Sequence, residues 1–395
     1  MIYVHSLGRA VRHYGEQTAF SIGGKRLTFI ELDNRVERVA AALSHRGLRT
    51  GDRLAVLLPN GPEYIELVYA CSRLGVIVVP LNARYSSREI DRVLKDTSPR
   101  ALVRHSGSTP TRARANLQWQ LALDKEPLDA SNGLCPEVYY CPEAILAIIY
   151  TSGTTGEAKG VMLTHTNVLS SVYCLNYWMR YRQGGVYLHA APIFQGADFP
   201  AMFAAPAFGA LQVTEPRFSP RAFCEAVEKE RITQAVLGPT MINMLADFAE
   251  ATRFNLSSLE VLAYGGSPLP VEVYQRTRRM LPGVKLVQVY GMTETGFLTS
   301  LEAKEDTMEQ LLTSCGRPCP GIDVQVVDSS SGRPVEAGQP GEIVARGANV
   351  MLGYWNHPDC TAQAFRNDFF RTGDIGYQDT AGYLFIVDRL KDSHR

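Results

Sequence analysis

The sequence predicts an α/β protein of two mostly parallel sheets covered by helices, followed by a smaller C-terminal β subdomain. Three observations carry this prediction. From Arg53 to Val289, apolar runs of strand length alternate with segments of helical period. Several of those runs end in loops rich in glycine and hydroxyl side chains, as in open sheets that place ligands at strand ends. Beyond Gly316 the character changes to short strands separated by Gly/Pro turns.

The 395 residues are 45% hydrophobic and 20% charged, enough to bury a large core and too many for one minimal domain. Forty basic and 40 acidic residues cancel, so no global field recruits nucleic acid or an anionic membrane surface. The 8 cysteines are scattered without a CxxC pair or a matching His cluster, which favours buried or idle thiols in a reducing compartment over a zinc site. His5, Arg9, Arg12 and His13 interrupt the N-terminal apolar residues, so Met1 to Tyr14 does not read as a signal peptide. The uncharged stretch Ala201 to Val213 is too short to span a bilayer and contains Pro206 and Gly209. The expectation is a cytoplasmic protein with no transmembrane segment and no nucleic-acid partner.

Thr28 and Glu31 have capping-box spacing, and Leu32, Val36, Val39, Ala40 and Leu43 recur with helical period until Gly47. An amphipathic helix is predicted there. A strand (Arg53 to Leu58), a turn at Pro59-Asn60-Gly61-Pro62, a helix (Glu63 to Leu74) and a strand (Val76 to Val79) follow. Ser86 and Glu89 repeat the capping-box spacing ahead of a helix to Asp96, and Ala101 to Val103 is extended. Between Pro99 and Pro142 the periodicity weakens, and Ser106 to Thr111 and Leu128 to Gly133 read as surface loops. Ala144 to Ile149 is a strand, and a helix follows Thr164-His165-Thr166-Asn167 to about Arg182.

Alternation resumes with a strand (Val186 to Ala190), the segment Pro192 to Phe199 and the apolar stretch to Val213. Helices at Pro220 to Glu230 and Pro239 to Glu250 flank a strand at Gln234 to Leu237. The next strand ends in Gly265-Gly266-Ser267. A helix (Val271 to Met280) then leads to the strand Lys285 to Val289, which ends in Tyr290-Gly291-Met292-Thr293-Glu294-Thr295. Short strands at Asp323 to Val327, Gly341 to Arg346, Phe370 to Thr372 and Tyr383 to Val387 complete the chain. The predicted division is an α/β portion over 1–315 and a β subdomain over 316–388.

The most informative stretch is Tyr150-Thr151-Ser152-Gly153-Thr154-Thr155-Gly156-Glu157-Ala158-Lys159-Gly160-Val161. Glycines let the backbone turn with its N–H groups uncovered, Thr151, Ser152, Thr154 and Thr155 add donors, and Lys159 adds a positive charge. That is equipment for a polyphosphate. It is not a Walker A loop, which needs glycine before the lysine and a hydroxyl after it, whereas Lys159 lies between Ala158 and Gly160. The plain alternative is a solvated Gly/Thr turn between two strands.

Taken in order with Tyr290-Gly291-Met292-Thr293-Glu294, Phe370-Arg371-Thr372-Gly373-Asp374 and Asp388-Arg389-Leu390-Lys391-Asp392, this loop resembles the adenylate-forming (AMP-binding) superfamily. That superfamily comprises acyl-CoA synthetases, peptide-synthetase adenylation domains and luciferases, and the likeness runs along essentially the whole chain. The resemblance implies its N-terminal domain and a two-step reaction. A carboxylic acid and ATP give acyl-AMP and pyrophosphate, then a nucleophile, often coenzyme A, displaces AMP. By the same resemblance Thr151, Ser152, Gly153, Thr154, Thr155, Gly156 and Lys159 cradle the β- and γ-phosphates. Thr293 donates to the α-phosphate, and Glu294 holds Mg²⁺, a hard cation suited to carboxylate and phosphate oxygens. Tyr290 and Gly291, with the backbone of Gly265, Gly266 and Ser267, border adenine. Asp374 takes the ribose hydroxyls, Arg389 the ribose or phosphate side, and Lys391 lies at a hinge begun by residues 389–395. Phe194, Gln195, Gly196, Val236, Gly238, Ala263 and Val289 fall where the acyl group lies. Read singly, Tyr290 would be a core aromatic, Glu294 a solvated helix cap and Asp374 a surface turn residue.

Four positions depart from the family pattern. Ala158 replaces a usual proline, which loosens the unbound loop without removing a phosphate donor. Gln195 stands where CoA ligases usually carry histidine and amino-acid-activating members aspartate, which argues against an amino-acid substrate; neighbouring Asp198 is expected to point elsewhere. Val289 replaces a frequent glycine and narrows the acyl tunnel. The sequence stops at Ser393-His394-Arg395, with His394 where an apolar residue usually continues into a further domain. The resemblance therefore implies binding of nucleotide and acid with poor turnover. The expected activity is an ATP-dependent acid–CoA ligase for a fatty or aromatic acid, with coenzyme A as co-substrate and a homodimer left open. Delivery of acyl-AMP to a carrier protein, or a catalytically silent nucleotide-binding module, are the alternatives.

Overall fold

Local chemistry at the helix starts sets the frame. The Thr28 hydroxyl accepts from the Glu31 N–H at 3.1 Å and the Glu31 carboxylate accepts from the Thr28 N–H at 2.8 Å. Ser86 and Glu89 close the second expected box, at 3.4 and 2.8 Å. Thr164 and Asn167 form a third, at 3.1 and 2.8 Å. The computed structural model describes residues 2–22, 25–111, 117–128, 138–151, 158–302 and 313–389.

In chain order the elements are α1 (Ile2–His5), α2 (Leu7–Tyr14), β1 (Thr18–Ile22), β2 (Lys25–Thr28), α3 (Phe29–His45), β3 (Arg53–Leu57), α4 (Pro62–Leu74), β4 (Ile77–Pro80), α5 (Ser87–Thr97), β5 (Ala101–Arg104), β6 (Trp119–Ala122), β7 (Ile145–Thr151) and β8 (Lys159–Thr164). They continue with α6 (His165–Met179), β9 (Val186–His189), α7 (Ala201–Ala207), β10 (Leu211–Thr214), α8 (Pro220–Glu230), β11 (Gln234–Leu237), α9 (Pro239–Ala246), a 3-10 turn (Ala249–Arg253), β12 (Val261–Gly265), α10 (Val271–Met280), β13 (Lys285–Met292) and β14 (Gly296–Glu302). The last part holds β15 (Arg317–Pro318), β16 (Asp323–Val327), β17 (Gly341–Arg346), β18 (Gly353–Tyr354), α11 (Pro358–Ala364), β19 (Phe365–Arg366), β20 (Phe369–Gln378) and β21 (Leu384–Arg389).

The strands form three sheets. A nine-stranded sheet runs β15-β14-β13-β12-β11-β9-β10-β1-β2, and a seven-stranded sheet runs β18-β8-β7-β4-β3-β5-β6. Both have parallel centres, as expected from the βα alternation. The third sheet, β16-β17-β20-β19 with β21 on β20, is antiparallel throughout. The largest apolar cluster joins the facing sides of the two large sheets through α3, α4, α6 and α7. A second covers the other side of the nine-stranded sheet with α8, α9 and α10, and a third covers the seven-stranded sheet with α5. On β11 the period-2 rule is visible, since Val236 enters the first cluster while Ala235 and Leu237 enter the second.

Several sequence expectations are corrected. The predicted helix Pro239 to Glu250 ends at Ala246, because Phe248 is extended and its ring lies 6.4 Å from that of Phe254, with a 3-10 turn between. β6 lies in the stretch from Pro99 to Pro142 where the periodicity weakens, since an edge strand with Leu121 alone buried shows no alternation. β14 escaped notice for the opposite reason, near-continuous burial. β20 runs to Gln378, well past the predicted Phe370 to Thr372, while β21 is Leu384–Arg389 against the predicted Tyr383 to Val387, with a bulge between Ile375 and Gly376. α11 follows an unrecognised Pro at its first turn. The stretch Ala201 to Val213 divides into α7 and β10.

Candidate active site

Two of the three glycine- and hydroxyl-rich loops prove to be hairpin connections rather than crossovers. β7 and β8 are antiparallel, with Thr151 opposite Lys159, and β13 returns as antiparallel β14. Of the loop residues singled out from sequence, Ser152, Gly153, Thr154, Thr155 and Gly156 lie outside the described residues, as does Lys391. Thr151 and Lys159 are described at the ends of the two strands.

Lys159 reaches across to β18. Its ammonium lies 5.1 Å from the centroid of the Tyr354 ring, and the Tyr354 hydroxyl donates to Glu294 Oε1 at 3.0 Å. Glu294 is 7% exposed, far from the solvated cap it would be in isolation. Burial pushes its carboxyl above the ordinary glutamate range, opposed by its own backbone N–H, the Tyr354 hydroxyl and the charges of Arg389 and Lys159. Its carbonyl accepts from Met351 N–H at 2.7 Å, which docks the segment leading to β18. A carboxylate held this way keeps acceptor capacity and gains from a cation, so it fits a divalent metal completed by phosphate oxygens. Among the described residues no group of three or more His, Cys, Asp or Glu side chains forms a metal cage.

Asp374 is the second anchor. The Tyr290 hydroxyl donates to its Oδ2 at 2.7 Å and Arg389 Nε to its Oδ1 at 2.6 Å. The Asp374 side chain is 5% exposed and that of Arg389 49%. Asp374 and Arg389 are also cross-strand partners on β20 and β21, so the ladder sets their approach. Burial, and then the neighbouring Asp374 carboxylate, raise the Tyr290 phenol far above its usual value, leaving it a neutral donor.

Three of the acyl candidates, Val236, Ala263 and Val289, lie on adjacent strands β11, β12 and β13. Val236, Ala263 and Val289 are buried in the inter-sheet cluster, and half-buried Phe194 packs against it. Val236 pairs with Ala263, and Gly265 with Val289, across parallel strands. A Cβ on Gly265 would lie 2.4 Å from the Val289 carbonyl oxygen, so glycine is required there for strand approach. Gly266 has φ +86° and open space in front of it, and with Ser267 it is exposed. Gly238 begins α9 and its N–H meets Met241 Sδ at 3.5 Å. Gly291 is fixed by the hairpin, since a Cβ would lie 1.8 Å from the Gly296 carbonyl oxygen. Gly196 abuts Thr293, where a Cβ would be 3.3 Å from its hydroxyl oxygen. Gln195 is exposed beside it. Asp198 turns inward to His189 and Tyr187, as expected of a residue pointing elsewhere.

Two neighbours were missed in the sequence. Tyr354 links Glu294 to Lys159, and its only sequence sign is the aromatic pair Tyr354-Trp355 after Gly353. Asn60, read only as part of a turn, donates to the His189 and Ala191 carbonyls at 3.1 and 2.8 Å and accepts from Ile193 N–H at 2.9 Å.

The AMP-binding enzyme family matches residues 7–355 of the chain. A feruloyl-CoA synthase of Amycolatopsis sp is 36% identical over 388 residues, which cover 97% of this chain and 78% of that protein. A 2-succinylbenzoate–CoA ligase of Bacillus licheniformis is 32% identical over 382 residues, 94% of this chain and 76% of that one. Among solved structures, the inhibitor-bound N-terminal domain of FACL13 from Mycobacterium tuberculosis superposes with a TM-score of 0.90 at 28% identity, covering 98% and 99% of the two chains. The o-succinylbenzoate coenzyme A synthetase of Bacillus subtilis, in complex with ATP and magnesium ion, superposes with a TM-score of 0.89 at 28% identity, covering 98% of this chain and 79% of that one.

Proposed function

The chain belongs to the AMP-binding enzyme family, and on that premise we propose that it is an acid–CoA ligase that activates an aryl carboxylic acid as acyl-AMP before thioester formation. The observation that carries this is the meeting of Gly196 and Thr293 beside the Glu294–Tyr354–Lys159 chain. It supports a reading in which a wall for the acid adjoins a grip for polyphosphate.

A carboxylate oxygen attacks the α-phosphorus and pyrophosphate leaves, so the protein's task is to align two anions and steady the charge that shifts to the leaving group. Lys159 moves from the Tyr354 ring to the β- and γ-phosphates, joined by Thr151, Ser152, Gly153, Thr154, Thr155 and Gly156. Thr293 donates to the α-phosphate. Glu294 would hold Mg²⁺, which when bound neutralises phosphate charge and polarises the phosphoryl oxygens. Asp374 takes the ribose hydroxyls on lone pairs left by Tyr290 and Arg389, and Arg389, half exposed, is free to turn toward the nucleotide. Gly265, Gly266 and Ser267 border adenine and the acyl group.

The acid lies over Val236, Ala263 and Val289. Aryl acids are favoured over long alkyl chains because Val289 fills the space above Gly265, and because relatives at 36% and 32% identity are named for feruloyl and 2-succinylbenzoate substrates. The test uses calorimetry with AMP, ATP with Mg²⁺, and a non-hydrolysable sulfamoyl analogue of an aryl-AMP. The analogue is expected to bind at least about a hundredfold tighter than AMP. An analogue no tighter than AMP would sink the proposal, and an alkyl analogue binding better than the aryl one would overturn the substrate class.

A further inference from the structure

Beneath the loop that carries Phe194, Gln195 and Gly196 lies a polar cluster that the proposed chemistry does not use. Tyr187, His189, Asp198 and Gln212 are all fully buried. Tyr187 donates to Asp198 Oδ1, His189 Nδ1 lies 2.7 Å from Asp198 Oδ2, and His189 Nε2 lies 3.0 Å from Gln212 Oε1. Both ring nitrogens of His189 and both carboxylate oxygens of Asp198 thus have hydrogen-bond partners, which is the condition for burying the pair completely.

Such a cluster is a costly way to fill space, since apolar residues of similar volume would serve stability as well or better. What it supplies is geometry. Phe199 N–H and Asp198 N–H both bond the Gln195 carbonyl, at 3.0 and 3.2 Å, so Gln195 and Asp198 share one tight turn. Anchoring Asp198 therefore anchors Gln195 and Gly196. The near end of the loop is held independently by Asn60, through its three bonds to residues 189, 191 and 193. Between these two clamps Gly196 is set against Thr293.

We propose that Asp198 is a positioning residue for the acid substrate: through His189 and Tyr187 it fixes the 192–199 loop so that Phe194 to Gly196 form a rigid wall beside Thr293. The proposal rests on the acid–ligase reading of the site. It separates two components of ligand binding, because the proposed adenine and ribose contacts lie at the ends of β12 and β13 and on β20 and β21, and of the nucleotide contacts only the α-phosphate donor Thr293 borders the clamped loop.

The experiment measures binding of AMP and of the aryl sulfamoyl analogue to the full chain and to three variants, with thermal melts alongside. In Asp198→Ala the analogue is expected to weaken by about tenfold or more, since a small misplacement of a binding wall is costly, while AMP affinity is unchanged. Tyr187→Phe removes one donor without a change of shape and is expected to weaken the analogue by about threefold. Asp198→Asn keeps every bond: its amide NH₂ donates to Nδ1, its oxygen accepts from Tyr187, and Nε2 still donates to Gln212. It is expected to stay within about twofold of wild type. Equal losses of AMP and analogue in Asp198→Ala, no loss at all, or an Asp198→Asn variant as weak as Asp198→Ala would each overturn the proposal. Wild-type protein that prefers the analogue no more than AMP would instead sink the ligase reading, and the proposal with it.

Discussion

At Tyr354 one side chain serves two groups, its hydroxyl on Glu294 at 3.0 Å and its ring 5.1 Å from the Lys159 ammonium. Tyr354→Phe keeps the ring and removes the donor, so the affinity for Mg²⁺·ATP is expected to fall by about tenfold, ~1.4 kcal/mol, with AMP affinity unchanged. Lys159→Ala is expected to weaken ATP much more than AMP, and calorimetry showing equal losses would contradict a β/γ-phosphate role. A third residue sets a pH dependence away from the site. His165 is 1% exposed, accepts the Ile2 N–H at Nδ1 over 3.4 Å, and has its imidazole pushed down to about 3 by burial. The unfolded chain therefore takes up a proton below the ordinary value near pH 6.5 that the folded chain refuses. Stability contributed by the neutral ring is present above that value and is lost on acidification, by about 1.4 kcal/mol per pH unit, until roughly pH 3. Urea midpoints measured from pH 7 to 5 should show this slope, and His165→Asn, which keeps an acceptor and cannot protonate, should flatten it.

At the level of elements, the turn after β12 shows two neighbouring glycines needed for different reasons. Gly265 sits where β12 and β13 approach, and an added Cβ would meet the Val289 carbonyl oxygen at 2.4 Å. Gly265→Ala is expected to push the strands apart, cost about 1–3 kcal/mol and move Tyr290, the residue after Val289. Gly266 has no atom within 4 Å of that position, and only its φ of +86° asks for glycine. Gly266→Ala should cost about 1 kcal/mol. Chemical denaturation ranks the pair, and AMP binding should fall in the first variant and persist in the second. The sequence marked both as glycines at a strand end, but only the strand pairing tells them apart.

Across the whole molecule, segment 347–355 ties the three sheets together. Asn167 of α6 donates to the Ala348 and Val350 carbonyls at 2.9 and 2.7 Å, and Asn349 donates to the Thr295 and Phe297 carbonyls at 2.5 and 3.1 Å. Asn167→Ala removes both of these bonds and is expected to cost about 1–2 kcal/mol. Hydrogen exchange should speed up at 347–355 while the centre of the nine-stranded sheet keeps its protection; an unchanged segment would show the latch is not needed. Among the described residues no helix is long and apolar enough to cross a membrane. The sequence by itself determined the βα alternation, two of the three capping boxes and the ordered motifs that mark the family, because these are written in short-range spacing and residue type. Tertiary structure alone decided that Tyr354 meets Glu294, that Asn60 and Asp198 clamp the loop of Gln195, and that Asp374 is shared by Tyr290 and Arg389. Those contacts join residues from 9 to 133 positions apart along the chain. Periodicity and turn chemistry report each residue's local conformation and which face it presents, while the partner on that face is chosen only when sheets and helices pack.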